Sequence, residues 1–305
     1  MRTNKRSERI LALYLLLAAL ATGCAPAVTR GPSAEGPPRA SAPDYPVVLA
    51  ESEDRRKSAL DAWASVTRAQ GIENALAPQL QPATVTVRSL PPLAAPLRLP
   101  SVVVAEVNRT GRGKKDATET SGVLTEEEAT RESLRRFLLS LAPLLGVEAE
   151  YVSLVSIKDE QTGAKRATYE QKPFFQPLRG GYGRIEIAFT DDRRVTALTS
   201  TAIPDAGRLR TLLALPRERL TPQQAAASLS GTSYIYTDAA GVQQRRTIGD
   251  ANLVSIRELV VLPVERTGDA PALELHLAWE AAVGNESSQI VYVDAVTGEI
   301  LRAGI

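Results

Sequence analysis

The sequence predicts an α+β protein built as two successive units, each a helix followed by an antiparallel sheet. Two observations point to the helices. Thr125 with Glu128, and Thr221 with Gln224, each form the Ser/Thr-x-x-Glu/Gln box whose side chains bond the free amides of a helix start. The third observation points to the sheets: after each box come short runs with apolar residues at every second position, separated by Gly, Asn, Asp and Pro.

The chain opens with four basic side chains, Arg2, Lys5, Arg6 and Arg9, against one acid, Glu8, and then an unbroken apolar run over 10–21. This is the pattern of a signal peptide. Twelve helical residues rise about 18 Å, short of the roughly 30 Å hydrocarbon core, so the run targets the chain rather than anchoring it. Leu20-Ala21-Thr22-Gly23-Cys24 comes next, with small residues ahead of the single cysteine.

Residues 1–23 carry a net three positive charges, so their removal takes the chain from +1 to about −2. That balance offers no clustered basic footprint, and a nucleic-acid partner is not expected. With Cys24 as the only cysteine, no disulfide is available. Residues 24–46 hold Pro26, Pro32, Pro37, Pro38, Pro43 and Pro46 without apolar periodicity and read as an extended tether.

Residues 47–123 match no pattern beyond one helix over 53–70, with Ser52 as N-cap, Leu60, Trp63 and Ala64 on one face, and Gly71 at its end. Strands are expected at 84–88 and 102–107, and an exposed loop over 108–122. In the unit 124–205, Leu134, Phe137, Leu138 and Leu141 line one helix face, and Pro143 and Gly146 stop it. Strands come next at 151–158, 165–171, 184–190 and 194–199; Ile185, Ile187 and Phe189 alternate as a half-buried strand requires.

In the unit 206–305, residues 208–219 read as a connection. Pro222 takes the first helical position, and Gly231 closes a short helix. Strands are expected at 233–237, 259–262, 273–279, 289–294 and 299–302. Asp294, Thr297 and Gly298 read as a structural turn: the aspartate side chain accepts from turn amides and the glycine supplies a positive φ.

Candidate chemistry is sparse. The single histidine, His276, falls on a strand face with Glu274 and Glu280 and reads as solvated. One histidine and one cysteine cannot furnish a zinc site, and no nucleophile-elbow sequence accompanies His276. Arg179-Gly180-Gly181-Tyr182-Gly183-Arg184 reads as a turn rather than a nucleic-acid segment, and residues 111–115 lack the glycine and hydroxyl of a phosphate loop. No catalytic residue, metal or cofactor is expected.

Three stretches resemble known families. Leu20, Ala21, Thr22, Gly23 and Cys24 resemble the bacterial lipobox, although the leucine stands one place early; the resemblance implies cleavage before Cys24 and lipid on its thiol. Leu275-His276-Leu277-Ala278-Trp279-Glu280 leading into Val293-Asp294-Ala295-Val296-Thr297-Gly298-Glu299 resembles the end of a PepSY domain. The helix at 133–141, Thr168-Tyr169-Glu170-Gln171 and the segment 174–181 resemble the FTP domain of fungalysin and thermolysin propeptides, with Phe175-Gln176 departing from the family's pattern.

The resemblance implies a membrane-tethered, propeptide-like protein that inhibits or chaperones a secreted zinc metalloprotease in trans, since no His-Glu-x-x-His occurs in the sequence. It implies a bacterial envelope location, with an outer membrane favoured where there is one. The alternative is an envelope structural or interaction module without a protease partner.

Overall fold

Ser52 Oγ accepts from the Arg55 amide at 3.3 Å and opens α1 (Glu53–Ala69), with Glu53 and Asp54 in the first turn where the helix dipole favours anions. Gly71, at φ 70°, lies just past its end. The same physics opens α2 (Glu126–Ser140): Glu128 N donates to Thr125 Oγ1 at 3.2 Å and Thr125 N to Glu128 Oε2 at 2.7 Å. A one-turn helix, α3 (Ala142–Leu145), carries Pro143 near its start and ends at left-handed Gly146. In this computed structural model the described residues are 45–102, 125–160, 163–215, 217, 219–237, 241–266, 270–284 and 289–304. All of them fall within one unit, Pro43–Ile305.

The region 47–102 also supplies three short strands, β1 (Val47–Ala50), β2 (Gln79–Leu80) and β3 (Val87–Ser89). The strand expected at 84–88 shrinks to β3 because Val85 sits at φ 61°, a turn conformation that breaks the pleat. Val102 is in no strand, and 103–107, like the expected loop over 108–122, lie outside the described residues.

A four-stranded antiparallel sheet comes next, in chain order: β4 (Val152–Asp159), β5 (Ala164–Gln171), β6 (Arg184–Thr190) and β7 (Val195–Ser200). Leu134, Phe137 and Leu138 of α2 bury against Ala167, Tyr169, Ile185, Ile187 and Phe189, and Ala59 and Trp63 of α1 join the same core. Burial lifts the Tyr169 phenol to about 12.

The first part of the expected connection over 208–219 is helical instead, within α4 (Ala206–Ala214), which buries Ala206, Leu209 and Leu213. The second capping box opens α5 (Pro222–Leu229), with Gln224 N on Thr221 Oγ1 at 3.2 Å. A hairpin of β8 (Ser233–Thr237) and β9 (Gln243–Thr247) precedes the main sheet of β10 (Val254–Arg266), β11 (Ala272–Val283), β12 (Gln289–Asp294) and β13 (Ile300–Gly304). β10 and β11 outrun the expected 259–262 and 273–279, because polar residues such as Glu258 and Glu265 stand within long paired strands. The described architecture is α+β, with helices and antiparallel sheets in the predicted order.

β11 organises this sheet. β10 pairs along its whole length; β12 pairs with 278–283 and β1 with 272–275. A strand has two edges, so β1 and β12 share one of them, end to end. Val47 and Leu49 thereby enter the core formed by Leu209, Leu213, Leu273, Leu275 and Leu277.

Candidate functional site

At the end of β12 the Asp294 carboxylate makes two sets of bonds. Oδ1 accepts from the amides of Val296 at 2.7 Å and Thr297 at 2.9 Å, and Gly298 N donates to the Asp294 carbonyl at 2.9 Å. Gly298 adopts φ 79°, and Glu299 N donates to Thr297 Oγ1 at 3.3 Å, so Asp294, Thr297 and Gly298 form one turn into β13. Gly298→Val is expected to cost about 1 kcal/mol or more, because a β-branched residue resists that φ and its Cβ would meet Leu220 Cδ1 at 3.3 Å. Thermal unfolding checks this; an unchanged midpoint contradicts it.

Oδ2 of Asp294 faces inward. It accepts from the Tyr45 hydroxyl at 2.9 Å and lies 2.6 Å from His276 Nδ1. The expectation of a solvated His276 is corrected: the residue is only 7% exposed, with the Tyr45 ring edge-on at 5.8 Å and Glu274 Oε2 3.6 Å from Nε2. The strand alternation holds, but the face it assigns to solvent is covered. Glu280, on that same face, is also buried and pairs with Arg179 at 2.9 Å and Arg257 at 3.6 Å.

Tyr45 and Pro46, expected to be the last residues of the tether, lead instead into the sheet. The Tyr45 hydroxyl accepts from Leu277 N at 3.0 Å and so bridges the place where β1 gives way to β12. Burial, then the Asp294 carboxylate, push the phenol well above its ordinary range. For Asp294 burial acts upward, yet the bonds from His276, the Thr297 and Val296 amides and Tyr45 outweigh it and hold the carboxyl below the usual aspartate range. Arg217 stacks over the Tyr45 ring at 4.9 Å.

Chemically, this cluster is a clamp. An Asp–His pair becomes a base for nucleophilic catalysis only when the second ring nitrogen faces a hydroxyl or thiol. Here Nε2 faces the Glu274 carboxylate. No group of three or more metal-ligating side chains occurs among the described residues. Sequence reading placed Glu274 on the face of His276 but missed Tyr45 and Arg217 as part of the cluster; a lone tyrosine at the end of a proline-rich stretch carries no local signal.

Cys24 and the residues Leu20, Ala21, Thr22 and Gly23 lie outside the described residues. Among the described residues no helix is long and apolar enough to cross a membrane. Arg179 opens the expected turn over 179–184, in which Gly180, Gly181 and Gly183 take φ values of 79°, 83° and 79°. Beside it a cleft of about 800 Å³ opens between 81–84, 180–182, 263–266 and 301–302.

No protein-family profile and no curated protein sequence matches the chain. Among solved structures it is similar to the Bacillus megaterium YpeB C-terminal domain, at 13% identity and a TM-score of 0.21. The match covers 62% of this chain and 66% of that one, so this chain spans just under two thirds of that structure's length.

Proposed function

We propose that the chain is a lipid-anchored, non-catalytic binding protein that engages a secreted zinc metalloprotease in trans, inhibiting it or assisting its folding. The observation that carries this reading is the order of elements: a capped helix and four-stranded sheet, then a second capped helix and a sheet ending in the Asp294–Gly298 turn. That order accompanies the residues that resemble FTP and PepSY domains. Asp294, His276 and Glu280, the buried charged side chains of this sheet, are each held by a neighbouring side chain, which suits a binding surface on a fixed scaffold better than an active site.

A binder in trans lacks the millimolar effective concentration that a covalently attached propeptide enjoys. Confining the binder to the membrane recovers part of it. Roughly micromolar affinity, about −8 kcal/mol, is then sufficient through an interface of ordinary size. The test is refolding of a propeptide-less zinc peptidase from the same organism with and without the full chain. A raised yield, or a folded enzyme held inactive, is expected; no effect on either quantity leaves the envelope-module alternative.

The anchor is tested separately. Cys24→Ala is expected to abolish incorporation of a labelled fatty acid and to leave an unprocessed precursor. Equal label in wild type and variant contradicts the lipoprotein reading.

A further inference from the structure

The cleft beside Arg179 borders an open sheet edge. Val261 N donates to Pro177 O at 2.9 Å and Arg179 N to Val261 O at 3.0 Å, so residues 177–179 already lie on the outer edge of β10 through a parallel bridge at Leu178. Val261 therefore points its backbone groups away from β11. In an antiparallel ladder that orientation repeats every second residue, so Pro263 and Glu265 point theirs the same way; the one irregularity of the pair lies upstream, at 256–258. The chain leaves this edge at Gly180 and Gly181, whose positive φ turns it aside. Past that turn, the Pro263 carbonyl and the Glu265 amide and carbonyl face the cleft.

The charges around the cleft are unequally engaged. The Glu265 carboxylate accepts from Tyr182 at 2.6 Å, and Arg266 lies 3.3 Å from Glu274. Arg302 is exposed on the cleft wall, with Nη1 3.2 Å from where a Gly180 Cβ would stand. It enters none of the ion pairs among the described residues. An added side chain at Gly181 would meet nothing within 4 Å, so the cleft is open there. Its volume falls in the range of ligand sites, which gather at junctions of this kind.

We propose that this cleft is a peptide-binding site that takes an extended segment of a partner polypeptide along the free edge of β10, with one carboxylate of that segment on Arg302. The edge supplies main-chain bonds, as in other strand additions, and Arg302 supplies the preference for an acidic residue. Residues 177–179 show that the edge accepts an extended chain. The inference rests on the binder reading only for the source of the segment.

The probes are two pools of biotinylated eight-residue peptides, randomised except for one fixed aspartate or, in the matched pool, asparagine. Each is presented to immobilised full chain in detergent micelles. Wild type is expected to retain the aspartate pool about tenfold over the asparagine pool, the worth of one charge-assisted bond. Arg302→Ala is expected to erase that preference, and Glu265→Pro to lower retention of both pools. The proline removes an outward N–H, as Pro263 already does two residues earlier, together with the carboxylate that accepts from Tyr182, but no bond of the β10–β11 ladder, which stays intact. An unshifted circular-dichroism midpoint verifies this, and Arg302→Ala, at an exposed side chain, stands as the test on its own. Equal retention of the two pools by wild type, or a preference that survives Arg302→Ala, overturns the proposal. Peptide retention without any effect on a zinc peptidase removes the protease reading and leaves the cleft; an effect on the peptidase that Arg302→Ala leaves unchanged removes the cleft alone.

Discussion

Asp294→Ala is expected to lower the free energy of unfolding by about 3 kcal/mol or more. The carboxylate is 1% exposed and accepts from two turn amides, the Tyr45 hydroxyl and the His276 ring. Truncation leaves the buried His276 ring and the part-buried Tyr45 hydroxyl and turn amides without their acceptor, which costs more than the bonds contribute when made. Urea denaturation at neutral pH reads the loss; a change within about 1 kcal/mol contradicts the clamp. The same bonds hold the folded pKa of Asp294 below its ordinary value. Its contribution is therefore fully present above the unfolded pKa, about 3.9, and is lost as pH falls through the lower folded pKa. Asp294→Asn is expected to flatten that part of the acid limb.

Leu49→Ala is expected to cost about 3 kcal/mol, within the range for leucine truncation in a packed core. Leu49 is 1% exposed and pairs across the sheet with Leu273, while its neighbour Val48 is 39% exposed. Val48→Ala is the internal control, expected to change stability by about 0.5 kcal/mol or less. Similar melting midpoints for the two variants contradict the docking of β1 on β11.

These two residues mark the limits of what local pattern reveals. The capping boxes at Thr125 and Thr221 were legible because cap chemistry is contained within four residues. The alternation of Ile185, Ile187 and Phe189 was legible because one face of β6 meets the helices and the pattern needs no distant partner. β1 was not legible: Val47–Ala50 is four residues long, comes after a proline-rich stretch, and pairs with residues near the other end of the chain. The burial of His276 was hidden for the same reason, since what covers it includes Tyr45. Alternation told which residues share a face with His276, and only the long-range packing told that the face is closed. α4 escaped because it has no side-chain cap: Asp205, its N-cap, is left-handed and makes no capping bond.

The proposed binding of a zinc peptidase by this scaffold has a direct test. The most direct measurement is equilibrium binding of the full chain, in detergent micelles, to a labelled catalytic-site variant of a secreted zinc peptidase from the same organism. Saturable one-to-one binding with a Kd of roughly micromolar or tighter is expected. Absence of saturable binding up to about a hundredfold higher concentration, across the organism's secreted zinc peptidases, would contradict it.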